Sequence, residues 1–223
     1  WETAEGPYTM WTNGGVPLGG LMPMPPEVAA AGVPPHWLAY VSVPDVDRAA
    51  GRAVELGGVV HYPPTDIPDV GRFAVLADPH GATFAVFSSA EPSPAAPGAP
   101  AVGQVSWHEL ASADHRAAFE FYADLVGWER QEAMDMGPAG VYQLYGRAGV
   151  PLGGMFDKPA AMPFSCWLYY VRVADLDATV ARVKALGGEV INGPMEVPGG
   201  DRIAQCTDPQ GAMFALHWSA RCD

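Results

Sequence analysis

Few side chains in this sequence are equipped for chemistry, and their spacing decides how they can act. Glu109 and His217 supply a carboxylate and an imidazole, the groups that general acid–base catalysis uses most. With the thiol of Cys166 they also make a donor set able to hold a divalent ion. The plainer alternative is that Glu109 pairs with an arginine or a backbone amide and that His217 is a hydrogen-bonded histidine at a strand end. All three lie in stretches that read as strands, where residues two apart share a face. By that rule Glu109 shares a face with Trp107, Cys166 with Leu168 and Tyr170, and His217 with Ala215 and Met213. In an earlier stretch His36 goes with Leu38 and Tyr40, and Thr83 with Ala85 and Phe87. His61, His80, His108 and His115 read as surface residues.

Other chemistries find little support. The three cysteines, Cys166, Cys206 and Cys222, are scattered without a C-x-x-C pair, which suits reduced thiols in a cytoplasm better than a disulfide framework. Gly137-Pro-Ala-Gly140 has no following lysine or helix, so it does not read as a phosphate loop. Arg72 and Arg202 each precede an Asp-Pro turn and read as structural ion-pair partners. A net charge of −13 with only two lysines opposes binding to nucleic acid or to anionic membranes. There is no stretch of 18 apolar residues, and the first residues carry no basic or apolar signal region.

The elements that must position these residues come from a duplication. His36–Ser88 aligns with Cys166–Trp218 at a constant offset of 130, with 22 of 53 positions identical. Gly15-Val-Pro-Leu-Gly-Gly20 recurs as Gly149-Val-Pro-Leu-Gly-Gly154. The reading is therefore two modules, residues 1–89 and 103–219, on either side of a Pro/Ala linker at 90–102. In each copy a strand (Trp37–Val43, Trp167–Val173) runs into Asp-x-Asp, whose first aspartate caps a helix that ends at Gly-Gly. Strands at Phe73–Leu76 and Ile203–Cys206, a tight Asp-Pro-x-Gly turn, and final strands at Thr83–Phe87 and Met213–Trp218 follow. Copy two also opens with a strand at Gly103–Leu110 and a helix from Asp114 to Val126. Copy one shows no counterpart, and an opening strand and helix are expected to precede it.

Ala118-Phe-Glu-Phe-Tyr-Ala-Asp-Leu-Val-Gly-Trp128 resembles the first-helix signature of the vicinal-oxygen-chelate superfamily, the glyoxalases, bleomycin-resistance proteins and extradiol dioxygenases. The strand–Asp-x-Asp–helix–Gly-Gly segments and Asp-Pro-x-Gly-x-x-Phe endings resemble the second half of the same module. The resemblance implies an α+β fold of paired βαβββ units, two modules in tandem, whose curved sheets enclose a ligand cleft. It also implies where metal-dependent members carry ligands, His or Gln on a first strand and Glu on a last one. Those positions map to Trp107, Leu168 and Ala215 in copy two and to Leu38 and Ala85 in copy one, none of which ligates a metal. A fourth position, near Val150–Met155, offers no strong ligand either.

If the mapped positions face the cleft, so do their strand-face neighbours. The candidate ligand-binding residues are then Trp107, Glu109, Cys166, Leu168, Tyr170, Met213 and His217, with His36 and Tyr40 from copy one. Such a lining suits a small apolar or aromatic molecule held by a few polar contacts. Two functions stand side by side. One is a binding protein of the bleomycin-resistance kind, with no metal and no cofactor. The other is an enzyme of the glyoxalase, dioxygenase or hydroxylase kind, whose catalytic residues the sequence does not identify. Both imply a small-molecule partner.

Overall fold

The computed structural model describes residues 2–3, 6–91 and 99–220. Cys222 and the middle of the linker, 92–98, lie outside the described residues. In chain order the elements begin with β1 (Glu2–Thr3), β2 (Gly6–Pro7), β3 (Thr9–Asn13), β4 (Val16–Leu21) and the short helix α1 (Pro26–Ala30). Copy one continues with β5 (Tyr40–Ser42), α2 (Val46–Glu55), β6 (Val59–Ile67), β7 (Gly71–Ala77) and β8 (Thr83–Ser89). Copy two opens with β9 (Val105–Ser112), α3 (His115–Val126), β10 (Glu129–Asp135), β11 (Val141–Arg147) and β12 (Val150–Asp157). It ends with β13 (Cys166–Arg172), α4 (Leu176–Ala185), β14 (Glu189–Glu196), β15 (Arg202–Thr207) and β16 (Met213–Trp218).

The described residues form three βαβββ units, and each has the same strand order, first–last–middle–second, with the first strand parallel to the last. The repeated sequence signals explain why. Asp45 and Asp175 accept from the backbone N–H groups of Arg48 and Ala178, capping α2 and α4. The second aspartate of each Asp-x-Asp clamps the arginine of the facing strand, Asp47 to Arg72 at 2.7 Å and Asp177 to Arg202 at 2.9 Å. The arginine hydrogen bonds first, and the arginine charges second, hold both aspartates below the usual carboxylate range. Gly57 and Gly187 take the left-handed conformation just beyond the helix ends (φ 88° and 87°). In each Asp-Pro turn the aspartate accepts two backbone N–H groups, those of His80 and Ala82 or of Gln210 and Ala212.

The chain divides into two compact bodies, 38–98 with 107–169, and 1–37 with 99–106 and 170–223. The first body joins the second half of copy one to the first half of copy two. Its core packs Leu76, Phe84 and Val86 under α2 and Leu110 and Met155 under α3, with Phe121, Tyr122 and Tyr145 between. Arg52 on α2 makes a two-pronged ion pair with Asp124 on α3. Tyr122 stacks on Trp128 at 5.2 Å, and Trp128 on Tyr145 at 4.4 Å. The family-like helix signature is thus the aromatic centre of this body. The second body packs Leu176 and Val180 of α4 on Ala204, Cys206 and Leu216, so the odd-numbered residues of β15 and β16 face the other way. Its β3–β4 hairpin carries the earlier Gly-Val-Pro-Leu-Gly-Gly, with Trp11 packed over Gly19 and Tyr8 over Gly20.

Two expectations need correction. The strand expected over Trp37–Val43 is formed only at Tyr40–Ser42. His36 therefore lies on no strand face with Tyr40. It is exposed, and its Nδ1–H donates to the Pro34 carbonyl at 2.9 Å. Nor are all four other histidines at the surface. His115 is buried (5% exposed) with Nδ1 2.8 Å from Asp157, His80 is partly buried, and His108 packs edge-on to Tyr169. His61 is exposed as expected.

Candidate functional site

In the first body, three side chains from β9 and β11, two strands apart in the sheet, form one hydrogen-bonded array. Trp107 and Glu109 project from the same face of β9, and Tyr142 reaches them from β11. The Trp107 indole N–H donates to the Tyr142 hydroxyl at 2.9 Å, and that hydroxyl donates to Glu109 Oε2 at 3.0 Å. The strand between them, β12, makes this reach possible. Gly154 is the partner of Glu109 in the β9–β12 register, and the Tyr142 ring lies where a Gly154 Cβ would stand. Phe156 stacks on Tyr142 at 6.0 Å. The result is an aromatic plate with one fixed carboxylate at its edge. Cys166 lies close enough to feel that carboxylate. Burial first, and the Glu109 charge second, push its thiol above the usual range, which disfavours a nucleophilic thiolate.

The second body holds a different arrangement. Tyr170 on β13 and Gln205 on β15 both flank Ala215 on β16 in the register. The Gln205 amide donates to the Tyr170 hydroxyl at 2.9 Å and accepts from Asn192 on β14 at 3.1 Å. The tyrosine must pass over Ala215 to make that bond, and only a side chain as small as a methyl leaves it room. His217, on the same face, has Nδ1 2.8 Å from Ser106 Oγ and Nε2 3.2 Å from the Asp201 carboxylate. The Ser106 hydroxyl itself donates to the Tyr170 carbonyl at 3.2 Å. Both nitrogens are engaged, so the ring is fixed in orientation. The other oxygen of Asp201 is buried with no hydrogen-bond partner among the described residues.

The remaining candidates are placed as follows. Leu168 and Tyr170 are buried, and Met213 is half-buried at the start of β16. Tyr40 is 48% exposed and packs with Phe73 (6.1 Å) and Phe87 (6.3 Å), while Tyr62 stacks on Phe73 at 5.4 Å. The 130-residue offset exposes a divergence. Tyr62, Val75 and Phe87 of copy one stand where copy two has Asn192, Gln205 and His217. Copy one thus presents an aromatic face, and copy two a hydrogen-bonded polar one. Trp107, Glu109 and Cys166 fall together in the first body, whereas Tyr170, Met213 and His217 belong to the second.

Tyr142, Ser106, Asp201 and Gln205 were not singled out from the sequence. Only Tyr142 left a signal there. The repeated Gly-Gly, with no turn to explain it, marks a close approach by a large side chain.

The positions that bear metal ligands in metal-dependent relatives do not fit a metal. Trp107 offers an N–H that is already donated, Leu168 is aliphatic, and Ala215 lies beneath Tyr170. Among the described residues no group of three His, Cys, Asp or Glu side chains converges.

Comparison with known proteins places this architecture. Residues 104–216 match the Glyoxalase/Bleomycin resistance protein/Dioxygenase superfamily. The chain is 34% identical over 214 residues to the protein named "Putative glyoxylase CFP32" of Mycobacterium bovis, covering 95% of this chain and 80% of that one. It is 36% identical over 197 residues to the anthracycline biosynthesis protein DauV of Streptomyces sp. strain C5, covering 83% of this chain and 66% of that protein. Among solved structures, the Mn(II)-bound glyoxalase from Novosphingobium aromaticivorans aligns with TM-score 0.58 at 16% identity, over 80% of this chain and 61% of that one. The 2,2′,3-trihydroxybiphenyl 1,2-dioxygenase of Sphingomonas wittichii aligns with TM-score 0.56 at 12% identity, over 81% and 70%. These structures share the fold. The chain belongs to the glyoxalase/bleomycin resistance protein/dioxygenase superfamily, and its function is of the glyoxalase and bleomycin-resistance-like or dioxygenase type. No helix among the described residues is long and apolar enough to cross a membrane.

Proposed function

We propose that the chain is a binding protein of the bleomycin-resistance kind, holding a small, partly planar apolar or aromatic molecule without a metal. The observation that carries this reading is the Trp107–Tyr142–Glu109 array. It sets two large rings and one carboxylate on a single sheet face, fixed to one another before any ligand arrives. Rings supply apolar contact area at small entropic cost, and a fixed carboxylate selects a ligand with a donor at its edge. The named role of a 36% identical relative in anthracycline biosynthesis supports a fused-ring, planar ligand class. Reduced cysteines favour a cytoplasmic setting, and the acidic surface leaves nucleic acid a poor partner. The proposed organisation is two sequence modules, 1–89 and 103–219, about a linker at 90–102.

One observation favours the enzyme reading. A carboxylate held by a phenol at 3.0 Å on a ligand-facing strand is placed to take a proton from a bound molecule. The experiment that separates the two is thermal-shift screening with planar aromatic compounds, then calorimetry and mass spectrometry of the bound compound. Binding without turnover is the expected outcome. Trp107→Ala weakens it by about 2 kcal/mol or more, the usual scale for a buried aromatic anchor. Glu109→Gln keeps the fold and alters affinity or its pH dependence. Should both variants bind like the parent while Tyr40→Ala abolishes binding, the wrong face has been assigned.

A further inference from the structure

Trp107 and His108 are consecutive on β9, so they point to opposite faces of the sheet. Behind the Trp107 face, on the side of α3, the first body contains a chamber of about 180 Å³. Its walls are aromatic: Phe84, Tyr122, Trp128, Tyr145, Trp167 and Tyr169 surround it, with His108 and Leu152 from β9 and β12. Ala39–Val41 complete the lining.

Two polar atoms in this wall lack partners among the described residues. The Tyr145 side chain is fully buried (0% exposed), and its hydroxyl makes no hydrogen bond. It sits against Gly153, the register partner of His108, which brings it to the His108 strand. His108 bonds to the Leu152 carbonyl through Nδ1 at 2.9 Å, so Nδ1 carries the hydrogen. Burial holds the imidazole below its ordinary pKa, and the neutral ring then has Nε2 as a free acceptor. The other hydroxyls of the wall are engaged. Tyr122 donates to Asp78 and accepts from Trp167, and Tyr169 accepts from the Ala39 N–H.

We propose that this chamber is a second ligand site, on the opposite side of the sheet from the Trp107 face, for a single six-membered ring bearing one hydroxyl group. The volume sets the size, being close to the ~150 Å³ that holds one benzene ring. Stacked and edge-on rings match a planar guest. A hydroxyl is the simple substituent that gives a proton to an acceptor such as Nε2 and takes one from a donor such as the Tyr145 O–H. Water is a poorer occupant. The space would take about six molecules at ~30 Å³ each, and each needs two to four polar partners that the aromatic wall does not provide.

The test uses phenol and benzene as probes of the full chain, read by calorimetry. Phenol is expected to bind saturably and more tightly than benzene. Tyr145→Phe keeps the ring and removes the orphan hydroxyl; it should weaken phenol about tenfold, the scale of one net hydrogen bond, and leave benzene unchanged. The same variant should be at least as stable as the parent without a probe, which separates loss of a ligand contact from loss of fold. Leu152→Phe, which fills the chamber, should abolish binding of both probes while the circular dichroism spectrum is retained. Phenol that fails to bind, or that binds Tyr145→Phe and Leu152→Phe as it binds the parent, overturns the proposal.

Discussion

The Tyr122 hydroxyl donates to the buried Asp78 carboxylate at 3.2 Å, joining the first helix of copy two to the Asp-Pro turn of copy one within one body. The same hydroxyl accepts the Trp167 indole N–H at 3.0 Å. Tyr122→Phe strips Trp167 of its acceptor and the buried Asp78 of a donor. The expected loss of stability is about 1–3 kcal/mol, since a buried polar group left unpaired bears its full desolvation penalty. Urea unfolding measures it, and an unchanged midpoint would show that the bond contributes nothing.

Asp78 itself should give stability a recognisable pH signature. Burial outweighs its hydrogen bonds and raises its pKa above 3.8 in the folded state. The folded protein therefore binds this proton more tightly than the unfolded chain does. The associated stabilisation is complete below 3.8 and is lost as the pH rises through the folded value. Asp78→Asn cannot titrate. The difference in unfolding free energy between the two proteins, followed from about pH 3 to about pH 7, should shift in favour of the variant as pH rises. A flat difference would mean that Asp78 has an unperturbed pKa.

The paired glycines of β12 should differ in their tolerance of a methyl group. At Gly153 an added Cβ meets the His108 carbonyl oxygen, which belongs to the neighbouring backbone of the sheet. At Gly154 it meets the Tyr142 ring, a side chain able to swing away. Gly153→Ala should be the more destabilising, by at least the ~1–3 kcal/mol typical of overpacking. Gly154→Ala should instead fold and lose affinity for ligands of the Trp107 face. Equal unfolding midpoints for the two variants would contradict this ordering.

Metal analysis offers an independent check on the proposed binding mode. Protein purified without chelator and then dialysed should carry well under one equivalent of zinc, iron, nickel or manganese, because Trp107, Leu168 and Ala215 provide no donor. A stoichiometric metal that survives dialysis would defeat the metal-free reading.

Much of the fold was legible because its signals are local. Asp45 and Asp175 cap the helices that follow them, Gly57 and Gly187 end those helices, and the Asp-Pro turns at 78 and 208 fold through their own backbone amides. A duplication made each signal visible twice. β5 starts later than composition suggests, because the Trp37 ring packs instead with Trp11 at 5.3 Å and Phe214 at 6.5 Å.

The sequence alone determined the repeat, the βαβββ order, the faces shared by alternate residues and the absence of metal donors at the mapped positions. Those follow from spacing of two along a strand, from caps within a few residues of their helices and from the residue types themselves. Tertiary structure decided the partners. Glu109 meets Tyr142, 33 residues on, only because Gly154 leaves the strand between them bare. His217 meets Ser106 across 111 residues, and Tyr170 reaches Gln205 only over the methyl of Ala215. Likewise His108, which strand alternation puts on the face away from Trp107, faces solvent or a chamber according to what packs there. In this chain α3 and the second half of copy one close over it, and pairing at that distance leaves no periodic trace in the sequence.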